Sequence, residues 1–146
     1  MKKRRVIVRQ ILLASHAELA KGILSAVELI AGTQQNLKVY SAYTDAADVH
    51  FKDQMLQDLN KMDPEDEVIL VTDLFGGSVN NELLELTKRP RTYLVTGMNL
   101  LLALSLILGP AGESTEDLIR RCVEEARQGI LYCNDPLPEA QDTDEF

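Results

Sequence analysis

Short apolar runs alternate along the chain with longer segments in which apolar residues recur at helical spacing. The short runs predict strands at residues 6–14, 37–42, 68–72 and 92–96. The longer segments predict helices at residues 17–31, 46–62, 78–87, 100–108 and 114–131. Because strands and helices alternate, we expect an α/β fold, a doubly wound, mainly parallel sheet of four strands with helices on both faces.

Size and charge narrow the class of protein. The chain has 146 residues, of which 45% are hydrophobic, which suffices for one core. We expect a single domain over residues 1–133 and a loose acidic tail over residues 134–146. The net charge of −8 and the lack of a dense basic block beyond the first residues argue against a nucleic-acid partner.

Three features favour a cytoplasmic location. Residues 1–5 resemble the basic start of a signal peptide, but Arg9 interrupts the apolar run that should follow. The apolar stretch 100–108 is far shorter than the ~20 residues that cross a bilayer, so we interpret it as a buried helix. Cys122 and Cys133 show no metal-site spacing and are expected to be free thiols in a reducing compartment.

Two residues with useful chemistry follow predicted strands. His16 comes after the first strand and Asp73 after the third. Open parallel sheets hold their ligands at the carboxyl ends of the strands. If these two strands are neighbours, His16 and Asp73 emerge at the same edge, within hydrogen-bond reach.

A glycine turn follows Asp73. Gly76 and Gly77 let the backbone pass close to a ligand, and Ser78 is suited to cap the helix that begins there. The first N–H groups of a helix favour an anion. The segment therefore predicts a phosphate-binding turn beside a carboxylate.

Each of these residues also has an ordinary explanation. Alone, His16 fits a loop histidine, Asp73 a turn residue, and the glycine pair a common turn before a helix. Their combination is what indicates a site. His50 has no such motif around it, and we expect it at the surface or the core edge. Asn99 fits two roles equally, lining the site or capping the next helix.

The chain resembles the enzyme IIA domain of mannose-type sugar phosphotransferase systems over about residues 6–131. Two motifs carry the resemblance, SHAELAKG at residues 15–22 and DLFGGSVNN at residues 73–81. A weaker third is GMNL at residues 97–100. The resemblance implies the doubly wound parallel fold and a cytoplasmic homodimer.

The resemblance also implies a reaction. The histidine matching His16 takes a phosphoryl group from the phosphocarrier protein HPr and passes it to a IIB protein, here a separate chain. The aspartate matching Asp73 holds the other ring nitrogen, which fixes the tautomer. Gly76, Gly77 and Ser78 would hold the phosphoryl oxygens. Neither a metal nor a cofactor is needed, and the IIC and IID components in the membrane recognise the sugar.

Three positions depart from the family pattern. Ala17 replaces a glycine, and Val79 and Leu101 each replace a proline. None of the three changes removes a chemical group. Val79 should loosen its turn modestly, and Ala17 adds a methyl group beside the acceptor.

The departures and the acidic tail leave other functions open. One is a regulatory module of the same fold that is phosphorylated without transporting sugar. Another is the IIA-like domain of a dihydroxyacetone kinase phosphotransfer protein, although we expect a different motif there in place of DLFGGS. A third is a receiver-like domain phosphorylated on Asp73 with Mg²⁺, which the lack of a clustered acidic pair disfavours.

Overall fold

A parallel sheet forms the centre of the protein. The computed structural model describes residues 6–43 and 50–139. In these residues four strands, β1 (Arg9–His16), β2 (Leu37–Ala42), β3 (Glu67–Thr72) and β4 (Thr92–Thr96), lie in the order β2-β1-β3-β4, all parallel. The predicted α/β fold is confirmed, and β1 and β3 are neighbours, as the pairing of His16 with Asp73 requires.

Helices follow each strand. They are α1 (Leu19–Ala31), α2 (Phe51–Lys61), α3 (Ser78–Leu84), α4 (Leu100–Ile107) and α5 (Thr115–Gln128), and a 3₁₀ turn (Glu85–Lys88) extends α3. The predicted helix α5 extended to residue 131, but the helix ends at Gln128 with Gly129 as its C-cap, because glycine is a poor helix former. The predicted start of the second helix, residues 46–49, lies outside the described residues.

The strands bury both of their faces, as a doubly wound sheet requires. Side chains alternate along a strand, so Ile11 and Leu13 face one side and Leu12 and Ala14 the other. The first side packs against α1, α4 and α5, and the second against α2 and α3. This leaves the carboxyl ends of the strands as the edge where loops meet.

Several expectations about buried and exposed residues are confirmed. Helix α4 is buried through Leu102, Ala103, Leu104 and Leu106. Cys122 and Cys133 are free thiols, the first buried and the second exposed. None of the helices in residues 6–43 and 50–139 is long and apolar enough to cross a bilayer.

His50 is the N-cap of α2 with a half-exposed side chain, which confirms the predicted surface position. Residues 134–139 are exposed, and residues 140–146 and 1–5 lie outside the described part of the chain. The division into a domain at 1–133 and a tail at 134–146 stays a prediction.

Arg9 fastens the loop between α4 and α5 to the sheet. Its Nε donates to the Thr115 hydroxyl at 2.8 Å and Nη1 to the Pro110 carbonyl at 3.0 Å, and Nη2 donates to the Glu113 carbonyl. The planar guanidinium suits this arrangement because its donors point in fixed directions. The residue that interrupts the first apolar run therefore holds two distant parts of the chain together.

Candidate functional site

The structure brings His16 and Asp73 together at the carboxyl edge of the sheet. His16 is the last residue of β1, and Asp73 directly follows β3. The Ala17 N–H donates to the Ala42 carbonyl at 2.8 Å, which fixes the chain just past β1 against the end of β2. Backbone hydrogen bonds to the neighbouring strands therefore fix the position of His16 independently of its side-chain contacts.

The contact between the two side chains is direct. The Nδ1 atom of His16 lies 2.8 Å from Oδ2 of Asp73, and the backbone N–H of His16 donates to the same oxygen at 2.9 Å. The other oxygen, Oδ1, accepts from the Leu74 N–H at 3.1 Å. The Asp73 side chain is only 8% exposed, whereas that of His16 is 39% exposed. Asp73 is therefore held from three sides and His16 faces outward.

The electrostatics of the pair set the tautomer of the imidazole. Burial acts to raise the pKa of Asp73, but the hydrogen bonds from the backbone and ring of His16 outweigh it and lower this pKa. Asp73 is thus ionised at neutral pH, and an ionised carboxylate only accepts hydrogen bonds. Nδ1 must then carry the proton. The nitrogen left with a free lone pair is Nε2.

The glycine turn runs beside the ring. Gly76 has a φ of 71°, a left-handed conformation that favours glycine. A Cβ atom added to Gly77 would lie 3.7 Å from Cε1 of His16, an ordinary van der Waals contact, and 3.3 Å from Cβ of Leu74, which is tighter than usual. The Gly77 N–H donates to the Leu74 carbonyl at 3.3 Å, a long bond within the turn.

Ser78 does not cap the helix, which corrects the sequence prediction. The N-cap of α3 is Gly77, Ser78 is the first helical residue, and no side-chain hydrogen bond caps this end. The Ser78 hydroxyl instead accepts from the Tyr43 hydroxyl at 2.8 Å. A serine one residue inside a helix cannot reach the N–H groups that an N-cap serves.

Tyr43 is a site residue that the sequence analysis missed. Its ring is tilted by 32° against the imidazole of His16, with the ring centroids 5.4 Å apart. Tyr43 directly follows β2, so it meets the same sheet edge as His16 and Asp73. That position was the available signal, because a residue that follows a strand next to β1 lies at the same edge of the sheet as His16.

The side-chain oxygens of Ser15 and Asn99 each accept a hydrogen bond from the first turn of a helix. The buried Ser15 hydroxyl accepts from the Ala20 N–H at 2.7 Å, so the residue before His16 anchors the start of α1. Oδ1 of Asn99 accepts from the Leu102 N–H at 2.8 Å, which is the capping role among the two left open. Asn99 lines a different cavity, with Arg127 and Ile130.

The chain is similar to known proteins in both sequence and fold. Residues 10–123 match the family model of the PTS system fructose IIA component, where PTS denotes the phosphotransferase system. A Klebsiella pneumoniae structure, assigned as a phosphoenolpyruvate-dependent sugar PTS permease, is 35% identical, with a TM-score of 0.82 over 92% of this chain and 98% of its own.

Two further structures are more distant. The PTS IIA protein associated with the fucose utilization operon of Streptococcus pneumoniae is 25% identical, with a TM-score of 0.75 over 90% of this chain and 97% of its own. The mannose/sorbose-specific IIA subunit of Enterococcus faecalis shares the fold at 19% identity, with a TM-score of 0.71 over 92% of this chain and all of its own, 100%.

Proposed function

Because the chain belongs to the PTS fructose and mannose-type IIA family, we propose that it is a phosphocarrier in sugar uptake. His16 accepts a phosphoryl group from phospho-HPr and passes it to a separate IIB protein. The observation that carries this proposal is the 2.8 Å contact of Nδ1 with Asp73, which leaves Nε2 of an outward-facing histidine as the reactive atom.

The chemistry of the transfer follows from this arrangement. The Nε2 lone pair attacks the phosphorus of the donor, a bond from Nε2 to phosphorus forms, and the bond to the donor breaks with its electron pair leaving on the donor. The ring gains a positive charge while Nδ1 keeps its proton. The Asp73 carboxylate stabilises that charge, and the same step in reverse delivers the phosphoryl group to IIB.

We propose that the glycine turn binds the phosphoryl oxygens. Phosphoryl transfer depends mainly on positioning and on stabilising negative charge. The support is the position of the turn beside the ring, since a Cβ atom added to Gly77 would lie 3.7 Å from Cε1 of His16. Because the Gly77 N–H already donates to Leu74, we assign the contact to the N–H groups of Gly76 and Ser78 and to the Ser78 hydroxyl.

The surface beside the site suits protein partners. Leu74 and Phe75 follow Asp73 and are 59% and 88% exposed. Exposed apolar side chains next to a reactive group favour docking of a macromolecule. We propose that HPr and then IIB dock on this surface. We also propose that the protein is a cytoplasmic homodimer that works with membrane IIC and IID components.

The site geometry disfavours Asp73 as the phosphoryl acceptor. Three hydrogen bonds occupy its oxygens, and its side chain is nearly buried. A receiver-like reaction also requires Mg²⁺, whereas the histidine mechanism requires no metal or cofactor. Labelling by purified phospho-HPr that persists in excess EDTA would support the histidine mechanism.

The test is to incubate the protein with phosphoenolpyruvate, enzyme I and HPr and to measure its intact mass. We expect one acid-labile phosphoryl group that is absent from His16→Ala. The matched control is His50→Asn, which removes the other histidine while keeping a residue suited to cap α2. Labelling of His16→Ala, or none of the wild type beside a labelled authentic IIA, would refute the proposal.

A second stage separates transport from regulation. The labelled protein is mixed with candidate IIB proteins, and the loss of its phosphoryl group is followed together with the gain on IIB. Transfer to a IIB supports the role in uptake. A stable phosphoryl group that changes binding to another protein without onward transfer would favour the regulatory alternative.

A further inference from the structure

Tyr43 adopts a backbone conformation that tyrosine rarely adopts. Its φ is 57°, and the φ of Ala17, which directly follows His16, is 48°. A bulky residue in the left-handed region is a genuine outlier, and such strain concentrates at functional sites. The Ala17 N–H donates to the carbonyl of Ala42, the residue before Tyr43, so the two strained turns are joined beside His16.

The side chain of Tyr43 connects two parts of the site. Its ring lies against the imidazole of His16 at a centroid separation of 5.4 Å, and its hydroxyl donates to Oγ of Ser78 at 2.8 Å. Tyr43 is 61% exposed, so burial in the core does not explain its position. Its described contacts are with the phosphoryl acceptor and the turn assigned to the phosphoryl oxygens.

The hydrogen bond from Tyr43 has a consequence for Ser78. A serine hydroxyl has one proton to donate and two lone pairs to accept with. When Tyr43 donates to Oγ, it occupies a lone pair and leaves the serine proton available. The bond also restricts rotation of the serine side chain, so the remaining proton has a preferred direction.

We propose that Tyr43 is a positioning residue of the phosphohistidine site. Its ring holds the plane of the His16 imidazole, and its hydroxyl orients Ser78 so that the serine proton donates to the phosphoryl group on Nε2. This inference rests on the proposed function of His16. It differs from that function in assigning a role to a residue outside both motifs.

The experiment compares wild type, Tyr43→Phe, Ser78→Ala and the double variant, using two phosphoryl donors. One donor is phospho-HPr. The other is phosphoramidate, a small molecule whose bond from phosphorus to nitrogen breaks as the bond to Nε2 forms and ammonia leaves. Tyr132→Phe and Ser25→Ala are matched controls, because both residues are exposed and outside the site.

With both donors, we expect Tyr43→Phe and Ser78→Ala each to slow phosphorylation about tenfold, the usual effect of one hydrogen bond to a charged group. The double variant should be no slower than Ser78→Ala, since Tyr43 acts through Ser78. NMR of the His16 ring provides a separate readout. Tyr43→Phe should keep the ring signals of wild type, whereas Tyr43→Ala should shift or broaden them.

Three results would overturn the inference. They are a wild-type rate in Tyr43→Phe, additive losses in the double variant, or unchanged ring signals in Tyr43→Ala. If phosphoramidate labels His16 but phospho-HPr does not, the carrier function fails while the phosphoramidate rates still decide the role of Tyr43. Labelling of His16 by neither donor would overturn both proposals.

Discussion

At the level of single residues, the proposed reaction gives Asp73 two roles. It fixes the proton on Nδ1 of His16, and it places a negative charge where the imidazole becomes positive. Both roles depend on a carboxylate that stays ionised, which the hydrogen bonds from His16 ensure by lowering its pKa. Asparagine can retain the shape of the side chain but supplies neither the charge nor an acceptor-only group.

Asp73→Asn should therefore slow phosphorylation of His16 by roughly a hundredfold or more without abolishing it. The measurement is the rate of labelling by phospho-HPr, with Asp53→Asn on the exposed side of α2 as the control. Equal rates in Asp73→Asn and wild type would remove Asp73 from the mechanism.

Ala17 is strained because its φ of 48° lies in the left-handed region, which alanine rarely adopts. Ala17→Gly should raise the free energy of unfolding by about 0.5–1 kcal/mol, because relief of strain exceeds the added freedom of the unfolded chain. Chemical denaturation measures the change. The control Ala26→Gly, within α1, should lower the same quantity by about 1 kcal/mol. A destabilised Ala17→Gly would show that the methyl group contributes packing.

The residues of the site differ in how far the sequence reveals them. His16 and Asp73 were predictable together because each lies at the carboxyl end of a strand, and parallel neighbours end at one edge. Tyr43 directly follows β2, but its contact with His16 depends on a positive φ, which tyrosine rarely adopts. Ser78 was assigned a cap because serine favours that position, whereas the turn ends one residue earlier at Gly77.

At the level of elements, strands and helices were predicted well where the hydrophobic period is clear. The bounds of β2 and β4 agree with the prediction, while β1 starts at Arg9 rather than residue 6. Apolar composition alone does not tell a strand from the segment leading into it. The pairing that ends β1 at His16 is set by β2 and β3, which are distant in sequence.

Arg9 also acts between elements, since it fastens the loop before α5 to the sheet. Arg9→Lys should lower the free energy of unfolding by about 1–2 kcal/mol, because an ammonium group cannot reproduce three bonds in fixed directions. Denaturant unfolding checks this, with Arg120→Lys as the control. The described contacts of Arg120 are exposed ion pairs, so its replacement should change the free energy by less than about 0.5 kcal/mol. Equal effects of the two would refute the role of Arg9.

At the level of the whole molecule, the pair of His16 and Asp73 links stability to pH. The pKa of Asp73 is lowered in the folded protein, so its contribution is present above the ordinary pKa of about 4 and is lost as the pH falls through the folded value. The difference in unfolding free energy between wild type and Asp73→Asn should therefore shrink below about pH 4. Glu113, whose pKa is also lowered, is common to both proteins and cancels. A difference that stays constant down to the acid transition would contradict this.

The fold and the family were predictable from the whole sequence, since two motifs fall at the carboxyl ends of adjacent strands. The surface that we propose for HPr and IIB includes Leu74 and Phe75, whose exposure is visible only in three dimensions. Contacts between the subunits of an assembly leave little periodic pattern in the sequence of one chain. The homodimer accordingly stays a prediction.

The most direct test of the central claim is to identify which nitrogen of His16 carries the phosphoryl group. The protein is prepared with isotope-labelled histidine, phosphorylated by phospho-HPr and examined by NMR for coupling between phosphorus and each ring nitrogen. The contact of Nδ1 with Asp73 predicts phosphorylation on Nε2, with the proton retained on Nδ1. Phosphorylation on Nδ1, or on a residue other than His16, would contradict the account.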